Sequence, residues 1–150
     1  MKEKIIKIHN SFSKKMEMAK DLPLLAIRLV LAYGFWGPAT MKWNNIDGII
    51  QWFEGMDMPF PTLNAYMATA TEMAGVILLL FGFFTRLISI PLIVVMLVAI
   101  FTVHYSNGFE AGENGFEIPL YYLIMLFTLL IYGGGKFSLD SIIKRATKDM

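Results

Sequence analysis

The chain of 150 residues contains no cysteine. Disulfides, thiolate nucleophiles, thiolate-held clusters and Cys-x-x-Cys redox chemistry are thereby excluded. Histidine is almost as scarce. Of the two present, His9 lies in a polar N-terminal stretch, which leaves only His104 beside an apolar run. A haem held by two histidines of one chain has no basis, and no self-contained metal site is expected. Charge is missing from long stretches of sequence. Hydrophobic residues make up 56% of the chain and the mean hydropathy is +0.56, above the usual soluble domain. The net charge of +1 gives no ground for a nucleic-acid partner. No secretory signal is expected, because the first 21 residues are mostly polar or basic and no small-residue cleavage motif follows the first apolar run. Internal repeats and low-complexity segments are absent too.

The uncharged runs themselves predict an all-α integral membrane protein, a four-helix bundle. The expected spans are 22–41, 62–81, 87–103 and 118–132. Span one opens with Pro23 in its first turn, where a missing N–H goes unnoticed, and Gly37-Pro38 is expected to kink or end it. Between spans one and two, Ile46, Ile49, Ile50, Trp52 and Phe53 predict a short amphipathic helix. Gly82 to Arg86 reads as a tight turn, and Gly133-Gly-Gly135 as a helix stop. The bundle thus occupies 22–135, between a basic N-terminal segment, 1–21, and a basic tail, 136–150. The segment 1–21 interleaves Ile5, Ile8, Phe12, Met16 and Met18 with six lysines, a pattern for a helix lying on an anionic membrane surface.

Lysine and arginine sort cleanly. The N-terminal segment holds six, the tail four and the turn between spans two and three one, Arg86, whereas the other two loops hold Lys42 and six acids. Both termini are therefore expected in the cytoplasm.

One carboxylate interrupts span two. Glu72 would lie near mid-membrane, where a charge costs at least about 2.5 kcal/mol on insertion scales. At helical spacing from it stand Ala65, Ala68, Gly75, Leu79 and Gly82, mostly small, so this face should meet another helix closely. Arg28 in span one lies at a depth within about 6 Å of Glu72 by residue counting, and an Arg28–Glu72 ion pair is expected. Such a pair serves either as a structural clamp or as a ligand or proton site. Lys42, His104 and Glu117 are expected to converge at the outer mouth of the bundle. Each also has a plainer reading, as a snorkelling lysine, a helix-end histidine and an acid favoured by a helix dipole. Tyr121, Thr128 and Tyr132 follow Glu117 on one stripe, which could bond a quinone, line a channel or bond neighbouring helices. The candidate ligand residues are Arg28, Lys42, Glu72, His104, Glu117 and Tyr121, with Glu72 and His104 as candidates for any catalysis.

Arg28, Gly34 and Lys42, then Thr71-Glu72-Met-Ala-Gly75, Leu80-Phe-Gly82, Thr85-Arg86, His104, Glu117 and a terminal Gly133-Gly-Gly-Lys-Phe-Ser-Leu-Asp140 form an ordered pattern. Across 22–140 it resembles the DoxX family of small bacterial membrane proteins. The resemblance implies a four-helix protein of the bacterial cytoplasmic (inner) membrane. It also implies redox biology, since some relatives are subunits of thiosulfate:quinone oxidoreductase. The expected function is a redox-linked subunit that contacts quinone, or a cofactor-bearing partner, through its polar cluster. If an enzyme, it would be an oxidoreductase using quinone. A non-catalytic scaffold and a small solute or lipid transporter are the alternatives. No cofactor motif is present. The expected partners are the lipid bilayer and either an oxidoreductase subunit or further copies of the chain.

Overall fold

A computed structural model describes residues 6, 9–10, 12–13, 16–17 and 19–147. Five of the six N-terminal lysines, and with them most of the expected surface helix over 1–21, lie outside these residues. Helix α1 spans Asp21–Asn44, α2 Ile46–Gly55, α3 Pro61–Phe81, α4 Thr85–Ala99, α5 Glu117–Tyr132 and α6 Leu139–Ala146. No strand occurs among the described residues. Helices α1, α3 and α4 with its extension to Asn107 are long and apolar enough to cross a membrane. At 16 residues, α5 is apolar but shorter, about 24 Å at ~1.5 Å per residue.

The ends of these helices follow local chemistry. Pro61 occupies the first turn of α3. Gly82 closes that helix at φ 65°, where a left-handed residue suits glycine. Its N–H and that of Phe83 bond back to Leu79 O and Leu78 O, satisfying the last carbonyls. Pro38 does not end or divide α1 as its sequence suggests, since the helix continues to Asn44. The neighbouring Thr40 hydroxyl bonds to Trp36 O and Gly37 O there.

Leu31, Phe35, Leu79, Leu92, Leu126 and Leu129 form the fully buried centre. Leu29, Ile77, Ile90, Val94 and Ile124 face outward and stay exposed, an inverted pattern that suits lipid. Gly75 shows why small residues flank Glu72. A Cβ there would stand 2.9 Å from Leu92 Cδ1, so the glycine lets α4 approach. The amphipathic α2 lays Ile49 and Phe53 against Ala65 of α3.

One end of the bundle is tied by the tail. The Asp140 carboxylate accepts from the N–H groups of Phe84 and Thr85 at 2.8 and 2.9 Å, capping α4 from 55 residues away. Asp21 accepts from Lys136 N, and Ser138 caps α6 through Ser141 N.

Candidate ligand-binding site

The buried charges pair otherwise than residue counting suggests. Arg28 does not reach Glu72. Its guanidinium donates to Leu79 O at 3.2 Å and to Phe137 O at 2.6 Å. Leu79 lies seven residues beyond Glu72, about 10 Å along the helix axis at ~1.5 Å per residue. Depth along the backbone does not fix where a long side chain ends. A long arginine instead reaches to the carbonyl end of α3, where the helix dipole is negative.

Lys42 takes the expected place of Arg28. It bends inward to put Nζ 2.5 and 2.7 Å from the two Glu72 oxygens. Side-chain exposure is 14% for Lys42 and 2% for Glu72. Both carboxylate oxygens are engaged, and two of the three ammonium hydrogens are used.

This pair borders a cavity of about 330 Å³, at the low end of ligand-sized pockets. Gly34, Pro38 and Lys42, at steps of about one turn, supply the α1 wall together with Phe35. Pro38 has no N–H for the Gly34 carbonyl, its partner four residues back. Met96 and Ala99 supply the α4 wall, and Ile118, Pro119 and Tyr122 the α5 wall. The Tyr122 hydroxyl lies directly over Gly34, where any Cβ would collide with it. Its ring meets Phe35 edge-on at 5.4 Å.

His104 also lines the cavity, and a change of helix type brings it there. Residues Ile100–His104 form a π-helix, which inserts an extra residue in the turn. His104 thereby shares a face with Ala99, five residues earlier, where an α-helix would present its fourth or third neighbour. His104 Nδ1 lies 2.8 Å from Asn114 O. A carbonyl only accepts, so Nδ1 carries the proton, and whenever the ring is neutral Nε2 is its acceptor.

Ala111, Asn114 and Gly115 roof the cavity. Glu117 holds this roof without lining it: Oε2 accepts from Ala111 N at 3.0 Å and Oε1 from the Tyr121 hydroxyl at 2.9 Å. Of the six residues singled out from sequence, the structure gathers Lys42, Glu72 and His104 around one cavity. Arg28 stands at the far end, and Glu117 and Tyr121 form a support beside the roof. Thr128 bonds to Ile124 O of its own helix, and Tyr132 is exposed. Tyr122, Gly34 and Pro38 were missed as lining residues. The spacing of Pro119, Tyr122, Leu126 and Leu129 carried a signal, because all four share the inward stripe of α5. Among the described residues no three His, Asp or Glu side chains stand together as metal ligands.

An all-helical membrane bundle with an ion pair on the wall of a half-open cavity is the class that fold and site define. The chain belongs to the DoxX family, whose model matches residues 23–105. An uncharacterised protein of Haemophilus influenzae is 31% identical over 140 residues, covering 88% of this chain and 90% of the relative. A Bacillus subtilis protein named "Putative oxidoreductase CatD" is 26% identical, covering 89% and 96% respectively. The "Inner membrane protein YphA" of Escherichia coli is 30% identical, covering 81% and 91%. No solved structure matches the chain.

Proposed function

We propose that this protein is a redox-linked subunit of a bacterial inner membrane, with both termini in the cytoplasm, and that its chamber receives a quinone headgroup. The observation that carries this reading is the chamber's mixed wall. Phe35, Met96, Ile118 and Pro119 offer apolar contact, while Lys42, His104 and Tyr122 offer a few convergent polar groups. Small-molecule sites, apolar with a few placed polar groups, have this composition. The protein's own residues would bind and orient the headgroup, and electrons would come from a cofactor-bearing partner. The oxidoreductase and inner-membrane names of two relatives fit this reading.

Lysine and arginine favour the stated orientation, which puts the chamber toward the outer face. Because the chain has no cysteine, single cysteines at Gln51 and at Lys144 test it directly. An impermeant maleimide should label the first, and not the second, in intact cells. Quinone contact is tested by titrating a short-tailed quinone into protein held in lipid nanodiscs. Saturable binding that weakens in Tyr122→Phe is expected; absence of binding would sink the reading.

A further inference from the structure

The chamber holds two opposite charges that cancel inside its own wall. Among the described residues, Lys42 and Glu72 are the only formally charged ones lining it, and they sit in direct contact. Arg28 is occupied by carbonyls at the other end of α3. Glu117 is turned to Ala111 N and Tyr121. A cavity of this kind with an unbalanced lysine would concentrate anions, since low-dielectric walls focus the field of a single charge. Deepening the quinone reading and resting on it, we propose that the Lys42–Glu72 pair is the selectivity element of the chamber, admitting an uncharged ligand and turning away small anions.

The remaining hydrogen-bonding capacity fits that role. Lys42 keeps one N–H after its two bonds to Glu72, and Tyr122 brings a hydroxyl. These are donors for the two carbonyl oxygens of a quinone. On the accepting side stand His104 Nε2, fixed by the bond from Nδ1 to Asn114 O, and the Gly34 carbonyl that Pro38 leaves without a helical donor. These suit the two hydroxyls of a quinol. The oxidised and reduced forms carry no charge, so a balanced chamber can hold either one. A small oxyanion finds a lysine already committed and a carboxylate beside it that repels.

The test uses the full chain in nanodiscs and two probes, a short-tailed quinone and sulfate, each followed by titration calorimetry. The wild type should show no sulfate binding. Its quinone affinity should be unchanged by about 100 mM sulfate, with ionic strength held by a bulky organic salt. Glu72→Gln frees the lysine and should raise sulfate affinity by at least about tenfold, and adding Lys42→Met to that variant should abolish the gain. Sulfate binding to the wild type, or its competition with quinone, would overturn the proposal without touching quinone binding itself. A folded Glu72→Gln protein with no gain for sulfate would overturn it too. If that variant does not fold, the wild-type competition decides alone. A wild type that binds neither probe contradicts the quinone reading, and the sulfate response of Glu72→Gln still decides the selectivity claim.

Discussion

Lys42 and Glu72, 30 residues apart, meet at 2.5 Å inside the bundle. A lysine at the end of one span thus neutralises a carboxylate in the middle of the next. The contact joins α1 to α3 on the wall of a chamber that also brings His104 and Tyr122 together.

Removing one partner leaves a charge without its counter-ion. Lys42→Met or Glu72→Gln should each cost about 2–3 kcal/mol, somewhat below a fully buried pair because Lys42 keeps partial exposure. The double replacement should recover much of that loss. Thermal unfolding in detergent, arranged as a double-mutant cycle, reads the coupling; simple additivity would argue against a paired state.

Arg28 should behave as an independent element. Arg28→Met and Glu72→Gln are predicted to add within about 0.5 kcal/mol, as uncoupled sites do. A coupling well above that would restore the Arg28–Glu72 pair that residue counting suggested and the side-chain geometry replaces.

The tail should be fastened by one carboxylate. Asp140→Ala removes the acceptor of Phe84 N and Thr85 N and should cost about 1 kcal/mol, as lost caps do. It should also speed proteolysis within 139–147. Unchanged cleavage would mean that Asp21 and Ser138 hold the tail without it.

Adjacent tyrosines should differ sharply. Tyr122→Phe is expected to weaken quinone binding about fivefold, the worth of a hydrogen bond of ~1 kcal/mol. Tyr121→Phe should leave binding unchanged, because its hydroxyl serves Glu117. Gly34→Ala should weaken binding with little effect on helicity, since the new methyl displaces the Tyr122 hydroxyl.

The bundle was legible because hydropathy reports burial in lipid directly. The expected 62–81 and 118–132 differ from α3 and α5 by one residue at their starts, and Gly82 and Gly133 mark their ends as glycine stops do. Glu72 was legible as the anomaly, and Gly75 as the place of close approach. The partner of Glu72 was not legible. Arg28 and Lys42 are 14 residues apart on nearly one face, and only the reach and direction of each side chain decide between them. His104 reaches the chamber through a π turn, which no hydrophobic period announces. A stripe drawn from Glu117 passes through Tyr121, whereas the buried stripe marked by Leu126 and Leu129 passes through Tyr122.

The most direct measurement is the place where a photoreactive quinone attaches. Labelling of nanodisc-held protein, read by peptide mass spectrometry, should fall on 96–104 and 111–122, and unlabelled quinone should suppress it. Labelling confined to outward positions such as Leu87, Ile90 and Val94, undiminished by competitor, would show quinone dissolved in lipid and contradict a chamber built around Lys42 and Glu72.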